Sequence, residues 1–413
     1  MVINKKIICF FLSMLLFSLT ACGGNTSTTS NSSIPPRTRT SSALSSEHLN
    51  WTIFRGDPSL SGHTHLSLPA NPVLLWVFSS DSRTRSSPIV YKGVTYWSDR
   101  RGRIFGVDIN GELVFDLDLS LILREMPDVA RHVSGGTDAT PMIYNSVMYL
   151  GLLDGFMLAI SLDTKEILWK FYTEGQISGS ANKVTFNGRM ALIFGSYDTY
   201  FYILDIETGK ELNRFASGDF INGTAAVWGH HILFGGCDSR VRIIDTQTGT
   251  VTDVMELQSQ MPNSPAVVGN VAYVGDHSGN MYRIQLSNGR FVSSEIIEHQ
   301  DSNADGFISS PAVNADAVFY FSGRHLYAVN RANGALRWSQ LLRGDVGESS
   351  PVVAHNKVLV ATRTGIVSIF DANNGALLWE YDTGEQIQAS PAVVEGHFMI
   401  LTNRGTLLVF GGD

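Results

Sequence analysis

The stretch Ser350-Pro351-Val-Val-Ala-His-Asn-Lys-Val-Leu-Val-Ala-Thr-Arg-Thr364-Gly365-Ile-Val-Ser-Ile-Phe370-Asp371-Ala-Asn-Asn374-Gly375-Ala-Leu-Leu-Trp379 holds short apolar runs divided by polar, glycine-bearing turns. Alternating apolar residues over four to six positions, bounded by Gly and Asn, indicate half-buried antiparallel strands. The opening grammar is Ser or Thr, then Pro, then an apolar residue. It recurs at Ser87-Pro88, Thr140-Pro141, Ser264-Pro265, Ser310-Pro311 and Ser390-Pro391, with degenerate copies at Ser180-Ala181 and Thr224-Ala225. Unit starts fall 40 to 53 residues apart, mostly near 40.

Each unit continues alike. A first turn (Lys92-Gly93, Asn187-Gly188, Gly269-Asn270, Glu395-Gly396) leads to a second strand such as Val94-Thr-Tyr-Trp97 or Val271-Ala-Tyr-Val274. A second turn follows (Arg101-Gly102, Asp154-Gly155, Ser278-Gly279, Arg404-Gly405), then a third strand such as Arg103-Ile-Phe-Gly-Val107. Four strands at a period near 40 describe a propeller blade, and a lone blade cannot bury both faces. The fold expected is all-β, an eight-bladed propeller of four-stranded antiparallel blades; misreading a degenerate copy would make it seven. The last unit reaches Phe410-Gly-Gly-Asp413 after three strands. Leu74-Leu-Trp76-Val-Phe78, ahead of the first unit, is expected to supply the fourth and close the ring, which removes open sheet edges.

The fourth strand carries the most diagnostic residues. Ala328-Val-Asn330-Arg-Ala-Asn333-Gly334-Ala-Leu-Arg-Trp338 resembles the tryptophan-docking motif of the pyrroloquinoline-quinone (PQQ)-like repeat family. Asp371 to Asn374, Gly375 and Trp379 fit with Ile369 in place of Ala; Ala159, Thr164 and Trp169 fit with Lys165 in place of Gly. Asp205-Thr208-Gly209 and Asp245-Thr248-Gly249 keep the turn and lose the tryptophan. Gly permits a positive φ there, and the indole is expected to lie against an adjacent blade. Trp76, Trp169, Gly334, Trp338, Gly375 and Trp379 are therefore read as structural blade-docking residues. The resemblance covers residues 51–413, including the entry segment Trp51-Thr-Ile-Phe54-Arg55-Gly56-Asp57 with Ser61-Gly62.

Ahead of the repeats, Lys5 and Lys6 precede the apolar run 7–19, which is too short to span a bilayer comfortably and reads as a signal h-region. It ends in Leu19-Thr20-Ala21-Cys22, a lipobox pattern. The expected organisation is a signal peptide (1–21), a lipidated Cys22 with a Ser/Thr-rich tether (22–50), and the propeller (51–413). The tether composition buries too little to offset its ordering entropy. Gly23, where an inner-membrane-retention Asp is common, favours the outer membrane, facing the periplasm. Lipobox, tether and eight docking repeats together are similar to the BamB-type outer-membrane protein assembly lipoproteins. The resemblance implies a non-enzymatic scaffold whose partners are periplasmic or outer-membrane proteins, including the barrel-assembly machinery.

Composition narrows the rest. The formal net charge is −8, and loss of Lys5 and Lys6 with the signal makes it two units more negative. That argues against nucleic acid, whose phosphates need clustered Lys and Arg. Of the cysteines Cys9, Cys22 and Cys237, only the last lies in the repeats, within the strand-like run Ile232-Leu-Phe-Gly-Gly-Cys237, and reads as a small core residue. Quinoprotein dehydrogenases share such propellers, and a quinone-binding or vestigial quinoprotein is the alternative class. They add a Ca²⁺–quinone pocket, many carry a vicinal disulfide, and adjacent cysteines are missing here. No catalytic residues and no cofactor are expected, and PQQ least of all.

Asp301-Ser-Asn303-Ala-Asp305-Gly306-Phe-Ile-Ser309 matches the first nine positions of a calcium loop, but the twelfth is Ala312 rather than an acid. Asp301, Asn303 and Asp305 are thus a candidate calcium set or a solvated turn. The pairs His63/His65 and His230/His231 lack partners at metal-ligand spacing. Arg55-Gly-Asp57 and Arg343-Gly-Asp345 each fit a turn. Some thirteen extra residues fall within 116–138, where Leu119-Ser-Leu121-Ile-Leu123-Arg124 is apolar. Leu121, Leu123 and Arg124 in this interblade loop are the candidate partner-binding residues.

Overall fold

A computed structural model describes residues 50–126, 133–297 and 309–412. They form eight antiparallel four-stranded sheets, the blades of a propeller. Blades 1 to 7 are residues 89–118, 142–172, 182–216, 226–256, 266–297, 312–341 and 352–382. Blade 8 combines residues 392–411 with Val73–Ser79, whose register pairs Trp76 with Val409 and Ser79 with Thr406. The closing strand is one residue longer at each end than the run 74–78 expected.

The first strand of each blade is innermost and largely buried, while the fourth is outermost and mostly exposed or half-buried. Because strands alternate in direction, the turns joining strands two and three share one face with the blade-to-blade loops. The turns joining strands one and two lie on the opposite face. The core lies between blades, as in the packing of Ile177, Phe194 and Leu204 with Tyr149 and Met157.

Three indoles each tie one blade to the next. Trp76 Nε1 donates to Ile109 O (2.9 Å), Trp169 Nε1 to Ile206 O (3.1 Å) and Trp338 Nε1 to Ala372 O (3.0 Å), each in the following blade. The glycine under the ring is needed twice over: Gly375 has φ +74°, and a Cβ there would stand 2.8 Å from Trp338. Where the glycine is missing, so is the indole. Lys165, at φ 61°, faces Phe115, with its Nζ 4.9 Å from the ring centroid. Blades 3 and 4 substitute shorter ties, from Asn213 Nδ2 to Gly249 O (3.0 Å) and from Phe291 N to Asp253 (2.9 Å). Gly334 keeps its positive φ but faces Ile297 instead of an indole. Trp379 stacks on Tyr381 and meets Phe398 and Phe410 edge-on.

The extra residues after blade 1 are not all loop. Asp118 accepts from Ser120 N (3.0 Å) and Leu121 N (3.3 Å) and caps a short helix, α1 (Leu119–Glu125). Leu119 and Leu123 point into the core, whereas Leu121 is 58% exposed and Arg124 is exposed.

Candidate functional site: the central funnel and its rim

The recurring Ser/Thr that opens each unit has a specific task. The amide of Ser87 donates to Thr140 Oγ1 (2.9 Å), Thr140 to Ser180 (3.1 Å), Ser180 to Thr224 (3.0 Å) and Thr224 to Ser264 (2.8 Å). The chain continues from Ser264 to Ser310, Ser310 to Ser350 and Ser350 to Ser390, each at 3.0 Å, and closes from Ser390 to Ser87 at 2.9 Å. Eight hydroxyls thus form one closed girdle around the axis. Ala181 and Ala225 replace proline in the degenerate copies, yet the hydroxyls of Ser180 and Thr224 are kept.

Below the girdle, the entry segment crosses the inner edge of every blade. The amides of Val90, Ile143, Val227 and Val267 donate to the carbonyls of Trp51, Thr52, Pro58 and Ser59. Those of Val313, Val353, His355 and Gly396 donate to Ser61, Gly62, Thr64 and Ser67, and blade 3 joins through Asn182 Nδ2 to Pro58 O (2.8 Å). His63–Thr64 adds a short parallel strand to blade 7. Innermost strands would otherwise present unpaired amides to the channel, and the strap satisfies them.

Arg55 is its keystone. The side chain is 2% exposed, with donors on Pro351 O (2.8 Å) and on Pro311 O, so one guanidinium ties blades 6 and 7. Burial lowers its pKa to about 9, opposed by the nearby Asp57. Asp57 in turn accepts from Ser59 and Ser61. Arg55 is therefore inaccessible to a receptor, and only the second Arg-Gly-Asp tripeptide is exposed, with Arg343 paired to Glu380 and Asp382.

Above the girdle opens a cavity of about 410 Å³, floored by all eight hydroxyl-bearing residues and Phe54. Its charged wall groups are already paired. Arg100 grips Asp138 with two donors, Arg85 lies 3.5 Å from Glu348, and Gln388 Nε2 donates to Glu348 (3.2 Å). Tyr197 donates to Asn222 Oδ1 (2.8 Å) and stacks on Phe220, and burial raises its pKa. A Ca²⁺–quinone pair needs several uncommitted oxygen ligands and a broad slot for the ring system. The funnel's carboxylates are spent on arginines, and no group of three or more His, Cys, Asp or Glu gathers among the described residues. These residues do not fit that cofactor pair.

The other candidates separate. Leu121 and Arg124 are accessible, whereas Leu123 is fully buried and cannot meet a partner, because α1 turns it onto the core. Cys237 lies just beyond the strand His231–Gly235 and is half-buried rather than core; burial and Asp219 raise its pKa. His63 and His65 pack edge to face at 4.6 Å, and burial together with His65 lowers the pKa of His63. Cys22 with its signal and the tether up to residue 49, and the candidate calcium residues Asp301, Asn303 and Asp305, lie outside the described residues. Sequence reasoning missed the Arg55 keystone and the Tyr197–Phe220 pair. The first had only an isolated charge in an apolar entry segment as its signal, and the second had none.

Eight blades, three of their contacts docked by indoles, a hydroxyl girdle and a polar funnel define a PQQ-like repeat propeller. The family model described as outer membrane protein assembly factor BamB matches residues 153–325 and 299–411, more than half of the chain, which belongs to that family. A BamB of Legionella pneumophila is 24% identical over 187 residues, 43% of this chain and 47% of that protein. A tetrathionate hydrolase of Acidithiobacillus ferrooxidans is 22% identical over 265 residues, 60% of this chain and 49% of that protein. The chain thus spans about half the length of these curated relatives. Among solved structures, BamB from Moraxella catarrhalis superposes with TM-score 0.65 at 18% identity, covering 83% of this chain and 98% of that one. The quinohemoprotein alcohol dehydrogenase from Comamonas testosteroni gives 0.71 at 13% identity, covering 88% and 81%. At these identities the superpositions show the fold alone.

Proposed function

We propose that the protein is a non-enzymatic scaffold in the assembly of outer-membrane β-barrel proteins, held at the outer membrane through lipidated Cys22 and facing the periplasm. The observation that carries this reading is membership of the BamB family across residues 153–411, joined to a funnel whose charged groups are already paired. No helix among the described residues is long and apolar enough to cross a membrane, so in this reading attachment falls to the lipid. Tethering raises the local concentration of the propeller faces near membrane partners, so weak contacts suffice.

Crosslinking the intact protein in cells and identifying what is captured tests the reading. Recovery of barrel-assembly components supports it; their absence overturns it. The quinoprotein alternative makes an opposite demand in vitro: quinone plus Ca²⁺ must change absorbance or raise Tm, and the scaffold reading predicts neither.

A further inference from the structure

We propose that a sector of arginines on the funnel face, running from blade 8 across the blade 8–1 loop to α1, docks an acidic segment of a partner protein that also inserts an apolar side chain. The inference rests on the scaffold reading and adds where the partner binds and by what chemistry.

The sector is assembled by the fold. The amide of Thr84 donates to Asn403 O (3.2 Å), bringing the loop that carries Arg83 and Arg85 beside the blade 8 turn that carries Arg404. The amide of Arg100 donates to Arg83 O (3.0 Å), bringing that loop beside the blade 1 turn that carries Arg101. The amide of Leu119 donates to Gly102 O (2.7 Å), seating α1 with Leu121 and Arg124 on the same turn. Arg83, Arg101, Arg124 and Arg404 are all exposed, and none makes an ion pair with another described residue.

Elsewhere most arginines are paired, and the exposed exceptions Arg290 and Arg337 stand singly on the outer strands of two different blades. Arg100 holds Asp138, Arg103 holds Asp116, Arg242 holds Asp238, Arg283 holds Glu295 and Arg363 meets Asp345. In a chain with 38 acids against 30 bases, four unpaired guanidiniums in one sector are a local reversal of charge. Such a concentration attracts and orients an oppositely charged partner. Leu121, 58% exposed at the end of the sector, offers the apolar contact that charge alone does not supply. Exposed Asp81 and Glu125 border the arginines. An acidic segment with an apolar side chain would meet the guanidiniums and Leu121 together, so a protein segment is the occupant.

The test uses the full chain in cells, with a photo-crosslinking residue at position 101, 121 or, as a contrast on another sector, 220. The charge-reversed variant Arg83→Glu/Arg404→Glu is compared with the parent, and an unchanged Tm shows that these exposed sites leave the fold intact. The proposal expects crosslinks from 101 and 121 to land in an acidic segment of one protein. Charge reversal should lower that yield at least tenfold, and Lys in place of the segment's acids should restore it. Unchanged yield on reversal, or adducts from 101 that are lipid only, overturns it. Capture of assembly proteins from 220 but not from 101 overturns the arginine sector and leaves the scaffold reading standing. No assembly protein from any position overturns both.

Discussion

The amide of Ser390 donates to the Oγ of Ser87 at 2.9 Å, across 303 residues of sequence, and completes the eight-membered girdle. Ring closure therefore has an inner lock beside the outer one formed by Val73–Ser79. Ser390 also receives the amide of Ser350 at 3.0 Å. Ser390→Ala leaves that buried donor without its acceptor and is expected to cost about 2 kcal/mol. Ser390→Thr keeps the hydroxyl, as Thr140 and Thr224 do naturally, and should cost less than Ser390→Ala. Denaturant unfolding of both variants checks the pair.

Arg55→Met retains length and loses the donors to Pro311 and Pro351. Two buried carbonyls then lose their partners at the point where blades 6 and 7 meet the strap, and stability should fall by about 3 kcal/mol. Hydrogen exchange localises the effect: the amides of Val313 and Val353, which donate to the strap, should lose protection before those of blade 3.

At the blade 6–7 contact, Gly375→Ala combines a positive φ with a Cβ 2.8 Å from the Trp338 ring. A loss of about 2 kcal/mol is expected. Gly188→Ala also has a positive φ, +79°, but nothing lies within 4 Å of its Cβ, so it should cost less. Equal losses at the two sites would show that the indole contact contributes nothing.

The Arg103 guanidinium holds the Asp116 carboxyl below its ordinary 3.8, and the amide of Thr248 does the same for Asp245. Lowered folded-state values mean that the unfolded chain binds protons first. The stabilisation is complete above the ordinary value and is lost as pH falls through the folded-state values. Stability should therefore decline below about pH 4, and Asp116→Asn should flatten that decline. A pH series of unfolding midpoints for parent and variant measures the difference.

Much of the ring was legible because its units repeat. Trp76, Trp169 and Trp338 announce docking, and the truncated last unit calls for residues 74–78. The Ser/Thr-Pro motif marked each unit without revealing why it recurs, since a girdle of hydrogen bonds joins residues about forty apart that no local pattern connects. The strap was opaque for a related reason: residues 51–68 show no extended strand periodicity, because their carbonyls are shared out around the ring from blade to blade. Around α1, apolar content pointed to Leu121, Leu123 and Arg124 together. Helical geometry then separates them, turning Leu123 inward and leaving Leu121 and Arg124 outside. Arg83, Arg101 and Arg404 are distant or unremarkable in the chain and form a sector only after three turns are brought side by side.

The proposed role in building outer-membrane β-barrels is tested directly by the amount of correctly folded barrel protein in cells lacking this protein. Heat-modifiable barrel proteins are expected to fall several-fold in the outer membrane and to recover when the parent chain is supplied. Recovery should fail with Cys22→Ala, which cannot be lipidated. Barrel levels that stay unchanged on loss of the protein would rule out this role.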